Sequence, residues 1–450
     1  MRPLKGARVA VIGMAKSGVA AVELLVEHGA MVIAIDQIPA PNARLAALGI
    51  PVRPQSPGEI ADVDIVILSP GVPADAAVAQ AARDAGALVI GDLELASWFL
   101  QGEIIGITGA NGKTTTTAMC GHILAASGIA AQVGGNIGTP PAAMVATSRP
   151  GQWNVLELSS FQLETTNTFR AHIGAALNVT PDHLDRHYTL DQYAAAKARL
   201  FVNQHSGDFA VLNADDPITA AYAKRTTGEA HWFSSTSSTS STSSTSSTTR
   251  GACIAKGQIL LDGQPLMQVA EIPLRGAHNV ENTMAAAVIT HLAGATHAQI
   301  RSSVMTFPGV EHRLEFVRDL HGVAFYNDSK ATNVDATLKA IAAFDGGLWI
   351  ILGGKDKDSD YTPLASALRG KVHAALLIGA AAGKISAQLA GIPVLQCGTL
   401  ENAVAQAHSR AHAGDTVLLA PACASFDQFE NYEHRGREFK RMAAALEVSA

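Results

Sequence analysis

The sequence predicts an α/β protein built from three successive units, on three observations. Short apolar runs alternate with helical stretches along the whole chain, the pattern of parallel sheets covered by helices. Polar, glycine-bearing turns follow several of those runs, where doubly wound sheets place their binding loops. The composition is rich in Ala and Gly, with only 16% charged and 5% aromatic residues, which suits close helix–sheet packing. A length of 450 residues corresponds to about three domains. A hydrophobic content of 48% supplies their cores and excludes a disordered chain. The units are expected at residues 1–100, 101–307 and 308–450.

The first unit opens on Arg8-Val9-Ala10-Val11-Ile12, a strand, followed by a turn through Gly13 to Gly18 and a helix over residues 19–28. Residues 31–35 form the next strand, ending at Asp36, and residues 65–68 another, followed by Ser69-Pro70-Gly71. Gly13-x-Ala15-x-x-Gly18 with Asp36 has the outline of a dinucleotide fingerprint. Ala15 stands where the middle glycine belongs and hinders close approach of a pyrophosphate to the backbone, which argues against a nicotinamide cofactor. A nucleotide-diphosphate group suits the turn better, with Asp36 near its ribose or base.

The second unit carries the most specific stretch, Thr108-Gly109-Ala110-Asn111-Gly112-Lys113-Thr114-Thr115, between a buried strand (104–107) and a helix (113–127). Backbone N–H groups bared at such a turn suit phosphate. Lys113 would reach the β/γ-phosphates, and the Thr114 or Thr115 hydroxyl would sit on Mg²⁺. Ile107 occupies the place of the first glycine in the strict phosphate-loop pattern. Next, Glu157 lies in an otherwise apolar run, so it must be paired or bound to metal. His183, after the strand at 173–177, could ligate a second divalent ion, or be an ordinary surface or core histidine. Lys197 stands in an alanine-rich helix, where spacing alone favours a solvated lysine. Ser234 through Thr249 is 16 consecutive Ser or Thr residues, with nothing apolar to offset its ordering entropy; it reads as a flexible surface loop. Asn279 and Asn282 open a helix, as caps or as nucleotide contacts.

In the third unit strands are expected at 323–326, 348–352, 374–378 and 416–420. Val334, Leu338 and Ile341 form an apolar stripe for packing a helix on that sheet. Glu311-His312-Arg313 and Asn327-Asp328-Ser329-Lys330-Ala331-Thr332-Asn333 frame its first strand. The second cluster packs a carboxylate, a lysine and hydroxyls into one turn, as an anion site requires.

A net charge of −6 argues against broad nucleic-acid binding. Cys120, Cys253, Cys397 and Cys423 show no paired spacing and read as reduced thiols of a cytoplasmic protein. No apolar run reaches about 18 residues, so no membrane insertion is expected. No coiled-coil heptad shows, and a monomer is the expectation.

Taken in order, these motifs resemble the Mur ligases of peptidoglycan synthesis: the phosphate loop, Glu157-Leu-Ser-Ser-Phe-Gln, Asp182-His183-Leu-Asp-Arg, Lys197, His278-Asn279-x-x-Asn282, His312-Arg313 and Asp328-Ser-Lys-Ala-Thr-Asn. Asp328–Asn333 together with Pro421-Ala-Cys-Ala-Ser425-Phe-Asp-Gln-Phe resembles the D-glutamate-adding branch. The resemblance implies a Rossmann-like UDP-binding domain, a central P-loop ATPase-type α/β domain and a C-terminal Rossmann-like α/β domain. It implies ATP-dependent ligation of D-glutamate to UDP-N-acetylmuramoyl-L-alanine through an acyl phosphate. Lys16, Ser17, Asp36 and Gly71 would take the UDP moiety, and Asn136 and Ser159 the rest of that substrate. Thr108, Gly109, Asn111, Gly112, Lys113, Asn279, Asn282, Arg313 and Asp328 would serve ATP. One Mg²⁺ would sit with Thr114 or Thr115 and Glu157, and a second with His183 and Lys197, the lysine as a carbamate. Lys113, Lys197 and His183 would be catalytic. D-Glutamate would meet Lys330, Thr332, Lys357, Ser425 and Tyr432.

Three positions depart from the family pattern. Lys355 rivals Lys357, Tyr432 stands where Phe is usual, and Gln37-Ile38 replaces a hydroxyl and an arginine. Three rival readings are a folylpolyglutamate synthase-like ligase, a sibling adding another amino acid, and an ATP-hydrolysing switch. The nucleotide-like first unit counts against the folylpolyglutamate synthase-like ligase.

Overall fold

Runs of branched aliphatic residues become central strands here because a parallel sheet buries both of its faces. The computed structural model describes residues 4–60, 62–236 and 250–446. The first sheet holds β1 (Arg8–Ile12), β2 (Met31–Asp36), β3 (Val52–Pro54), β4 (Ile65–Leu68) and β5 (Leu88–Gly91). Its order is β3-β2-β1-β4-β5, all parallel. Val9, Val11, Ile65 and Ile67 enter one core, and Ala10, Ile12, Val66 and Leu68 the core on the opposite face. The strand order reverses between β1 and β4, and ligands of open α/β sheets bind at such a reversal.

The second sheet comprises β6 (Glu103–Thr108), β7 (Ala131–Gly135), β8 (Trp153–Glu157), β9 (Ile173–Ala176), β10 (Phe209–Asn213), β11 (Glu229–Ser234), β12 (Gly251–Ala255), β13 (Gln258–Leu261) and β14 (Gln264–Gln268). The order is β14-β13-β12-β11-β10-β9-β6-β8-β7. It is parallel except for β13 and β14, which close one edge antiparallel. That hairpin pair was not expected from the sequence. Both its turns are two-residue loops with positive φ at both positions, Lys256-Gly257 (51° and 76°) and Asp262-Gly263 (48° and 74°). This is the backbone that matches the twist of a hairpin.

The third sheet comprises β15 (Glu315–Leu320), β16 (Val323–Asn327), β17 (Leu348–Gly353), β18 (Val372–Ile378), β19 (Val394–Gly398) and β20 (Thr416–Leu419). Its order is β15-β16-β20-β17-β18-β19, with only β15 antiparallel. Ile350, Leu352 and Leu418 face one core, and Trp349, Ile351, Val417 and Leu419 the other. The helix Val334–Ala342 lays its stripe on the first of these: Ile341 is buried, and Val334 and Leu338 pack against it.

The described residues form two compact units. One runs to Pro273 and adds Glu281–Phe307; the other joins Leu274–Val280 to the stretch from Pro308 onward. The first two sheets therefore share one unit. The helix expected at 19–28 begins earlier, at Lys16–Glu27, which sets Lys16 and Ser17 on its first turn. Of the Ser/Thr tract, residues 237–249 lie outside the described residues. Ser234, Ser235 and Thr236 wrap the Asp215 carboxylate with backbone and hydroxyl donors.

Candidate active site

The phosphate loop is held from below. Ala110 N donates to Asn178 O (2.8 Å), Asn111 N to Asn178 Oδ1 (2.8 Å), and Asn178 Nδ2 back to Asn111 O (3.1 Å). One side chain thus fixes the loop that carries Gly109 to Gly112. The role of Asn178 was not legible in the sequence, because only the fold brings β9 beside β6. Thr108 Oγ1 donates to Leu158 O at 2.9 Å, tying the end of β6 to the residue after β8. Gly112 has φ +86°, and a Cβ there would collide with Asn282 Oδ1. Asn282 accordingly lies against the loop and the Thr116 hydroxyl (3.4 Å), which makes it a loop contact. Thr114 and Thr115 are buried on the first turn of the helix Lys113–Ala126.

Two lysines converge on this loop. Lys113 Nζ donates to Gly109 O (2.8 Å) and Ala110 O (2.9 Å). Lys197 Nζ donates to the same Gly109 O at 2.9 Å. The solvated-surface reading of Lys197 is overturned: it is 1% exposed, with its ammonium over the Tyr193 ring. Alanine neighbours signalled exposure, but small residues are also what lets a helix lie close to a sheet. Burial, and then the Lys113 charge, hold the Lys197 amine well below its ordinary basicity; Asp182 and Glu157 act the other way.

Glu157 ends β8 and is buried. Its Oε1 accepts from Asn136 Nδ2 at 2.9 Å, while Oε2 has no hydrogen-bond partner among the described residues. A bare buried carboxylate oxygen is costly, and an oxygen so placed suits a cation. His183 has a left-handed backbone (φ 53°) and a half-exposed ring whose Nε2 lies 3.6 Å from Asp182 Oδ2. Ser159 spends its hydroxyl on a capping box with Gln162 at the helix Ser160–Leu163. No three His, Cys, Asp or Glu side chains converge as a metal cluster among the described residues. A divalent ion here would take most of its oxygens from substrate phosphates.

At the reversal of the first sheet, Asp36 is occupied by the backbone. Its Oδ2 accepts from Met14 N (2.6 Å) and its Oδ1 from Ile38 N (3.0 Å). A Cβ on Gly18 would strike the Gly13 carbonyl, so Gly18 is what lets the helix start this close to the turn. Ser17 bonds to Asp92, whose carboxyl burial pushes up to about 6. Gly71 follows β4 across the same crevice.

The second unit gathers the remaining residues at the ends of β16, β17 and β20. Asp328 is buried, with Oδ1 unpartnered among the described residues. Burial lifts its carboxyl to about 6, against the pull of Arg313. His312 Nδ1 meets Asn327 Nδ2 at 2.9 Å, and a Cβ on Gly436 would collide with that ring. His278 is driven down to about 4 by burial and then by the charges of Arg313 and Lys339. Asn279 Nδ2 donates to Arg275 O (2.7 Å). Lys330 lies over the Tyr432 ring, 5.6 Å from its centroid. Ser425 is buried, Thr332 half-buried, and Lys355 and Lys357 both exposed. Lys355 N bonds to Ala424 O (2.9 Å), next to Ser425.

The chain matches three family models: the N-terminal domain of MurD-like Mur ligases over residues 7–91, the Mur ligase middle domain over 107–290, and the Mur ligase glutamate ligase domain over 312–423. A UDP-N-acetylmuramoylalanine–D-glutamate ligase of Solibacter usitatus is 55% identical over 446 residues, covering 99% of each chain. One from Koribacter versatilis is 47% identical over 450 residues, with 98% of each covered. Among solved structures, the MurF ligase of Thermotoga maritima in complex with ADP aligns with TM-score 0.61 at 15% identity over 99% of both chains. The UDP-N-acetylmuramate-alanine ligase of the same organism aligns with TM-score 0.60 at 18% identity, over 98% of this chain and 100% of that one. These two share the fold.

Proposed function

This chain belongs to the Mur ligase family, and from that premise we propose how its own residues divide the work. The reaction is ATP-dependent addition of D-glutamate to UDP-N-acetylmuramoyl-L-alanine in peptidoglycan precursor synthesis. The γ-phosphoryl group passes to the alanyl carboxylate and ADP leaves. The D-glutamate amine then attacks the acyl carbon. Phosphate departs from the tetrahedral intermediate, the nitrogen loses a proton, and an amide remains.

Carboxylate and γ-phosphate are both anions, so the first step needs cations to hold them in line. Lys113 and the loop amides do this for the phosphates. Glu157, with Thr114 or Thr115, fits a Mg²⁺ beside them; the unpartnered Oε2 and the two buried hydroxyls support that placement. A bound ion would neutralise charge on the phosphoryl oxygens. His183 and Lys197 fit a second ion if the lysine nitrogen has added to CO₂ and lost a proton, leaving a carbamate. Its lowered basicity supports this, because the neutral amine is the form that adds. The observation that carries the reading is the meeting of Lys113 and Lys197 at Gly109 O, 2.8 and 2.9 Å away.

For the other substrates the proposal keeps Lys16, Ser17, Asp36 and Gly71 for UDP. Asp36 acts by shaping the turn, since its oxygens already accept backbone N–H groups. Asn136, tied to Glu157, faces the muramoyl part. Arg313 and Asp328 join Asn279 and Asn282 for ATP. Lys330, Thr332, Ser425, Tyr432 and Lys357 or Lys355 take D-glutamate, two cations suiting its two carboxylates. We place the enzyme in the cytoplasm as a monomer; no helix among the described residues is long and apolar enough to cross a membrane.

The test is phosphate release from ATP and Mg²⁺ with UDP-N-acetylmuramoyl-L-alanine, adding D-glutamate, L-glutamate or diaminopimelate in turn. Release with D-glutamate alone is expected. Release with no amino acid present would overturn the ligase reading.

A further inference from the structure

Arg435 is among the largest fully buried side chains of the protein, 1% exposed, on the helix Tyr432–Ala445. Among the described residues no carboxylate lies within ion-pair distance of it. Its donors go instead to neutral oxygens: Nε to Ser329 Oγ (3.0 Å), Nη2 to Ser329 O (2.8 Å) and Cys423 O (3.2 Å), and Nη1 to Cys423 O (3.2 Å) and Ala424 O (3.5 Å). An unpaired buried charge is costly, so a chain that keeps one uses it.

What it joins is specific. Ser329 sits between Asp328 and Lys330 at the end of β16, and Cys423-Ala424 leads into Ser425 beyond β20. The Ser329 hydroxyl also donates to Tyr432 O at 2.8 Å, so the same bridge reaches a third segment. Gly354, after β17, presses on the guanidinium: a Cβ there would lie 3.2 Å from Nη1. Past the last paired residues of β16 and β20, Asn327 and Leu419, two backbone bonds join the loop ends, Asp328 N to Leu419 O (2.8 Å) and Ala422 N to Ala331 O (2.9 Å), and Arg435 adds the side-chain links between Ser329 and Cys423-Ala424. The planar fork of Arg is the one side chain that can donate to three backbone carbonyls and a hydroxyl together; an ammonium on a flexible stem cannot.

We propose that Arg435 is a positioning residue for the amino-acid substrate: it sets the spacing between the Asp328–Lys330 turn and the Ser425 turn, and so the grip on the dicarboxylate. The inference rests on the placement of D-glutamate at Lys330 and Ser425 given above. It extends that reading by making the grip depend on a side chain that touches no substrate. The cation remains charged at neutral pH, although burial lowers it to about 10.

The experiment measures KM for all three substrates in Arg435→Lys and Ser329→Ala, on protein whose folding is checked by circular dichroism and melting temperature. Ser329→Ala removes the Nε acceptor and the Tyr432 bridge without touching the cation, so it remains informative where Arg435→Lys fails to fold. KM for D-glutamate is expected to rise about tenfold in Arg435→Lys, and by less in Ser329→Ala, with KM for UDP-N-acetylmuramoyl-L-alanine unchanged. A merely structural role would lower the melting temperature and leave the three KM values in their wild-type ratio, which overturns the proposal. Ser425→Ala runs alongside. A raised D-glutamate KM in Ser425→Ala with none in folded Ser329→Ala or Arg435→Lys refutes Arg435 alone. An unchanged KM in Ser425→Ala refutes the placement of the amino acid itself.

Discussion

Glu94→Gln is the sharpest test of how the first two sheets are held together. Glu94 is fully buried on the helix Asp92–Ser97, and its carboxylate reaches the segment Asn167–Phe169 that leads into β9 of the second sheet. Oε2 accepts from Asn167 N (2.7 Å) and Phe169 N (2.9 Å). Oε1 accepts from Thr168 N (2.9 Å), Thr168 Oγ1 (2.5 Å) and Trp98 Nε1 (3.1 Å). Gln is nearly isosteric but turns one acceptor into an NH₂. An NH₂ in the Oε2 place faces the N–H groups of Asn167 and Phe169; in the Oε1 place it faces Trp98 Nε1–H, because Thr168 N still reaches Oε2 at 3.0 Å. The less costly orientation leaves one such buried orphan, at about 1–3 kcal/mol. That is a large fraction of the ~5–15 kcal/mol that holds an ordinary domain folded. Urea unfolding at pH 7.5 is expected to show an earlier transition, with the control Glu23→Gln, which loses only a surface ion pair to Arg44, near wild type. A loss below about 0.5 kcal/mol, the scale of surface substitutions, would refute the clamp.

The same group sets a pH dependence. Burial pushes the Glu94 carboxyl up, but the N–H donors of Asn167, Thr168 and Phe169 outweigh it and hold the carboxyl below its ordinary value. A depressed carboxylate stabilises the fold above its unfolded pKa and loses that contribution as pH falls through the folded one. Wild type should therefore lose stability relative to Glu94→Gln on acidification below the ordinary carboxylate range, and the two should converge there.

Three further predictions follow from the site. Lys197→Ala should abolish ligation and regain part of it with added short carboxylates, read as phosphate release; no rescue at any concentration would count against an anionic role. Gly112→Ala forces a Cβ onto Asn282 Oδ1 at a φ of +86°, so KM for ATP should rise about tenfold or more with little change for D-glutamate. For Asp328→Asn the sign runs opposite to Glu94: its carboxyl is raised to about 6, so its contribution is present at low pH and lost as pH rises through that value. The substitution should raise the melting temperature above pH 7 while removing activity, and a lowered melting temperature there would refute the argument.

Much of the fold was legible because burial on both faces leaves an unmistakable trace. Ile65–Leu68 and Arg8–Ile12 are apolar runs with turns at both ends, and they form strands over those residues. The phosphate loop was legible because few residue types tolerate its backbone. The antiparallel edge β12–β14 is marked in the sequence only by turn dipeptides such as Asp262-Gly263, a weaker signal than the helix–strand alternation around it. Spacing alone favoured a solvated Lys197 because periodicity reports amphipathicity, and a helix of alanines has little to report; only the resemblance set it in the site. Asn178, Glu94 and Arg435 left no local mark, since each is defined by partners distant in the chain.

The sequence by itself determined the order of strands and helices, the phosphate-binding turn and the family, because these depend on neighbours along the chain and on residue types that permit few alternatives. The tertiary structure decided which polar groups are buried and against what. A carboxylate, a guanidinium or an ammonium costs little in water, and the sequence cannot tell whether water is there. Only when β6, β8 and β9 lie side by side does Glu157 lose its solvent and Lys197 its charge preference. Only when the ends of β16 and β20 are adjacent can one arginine hold both.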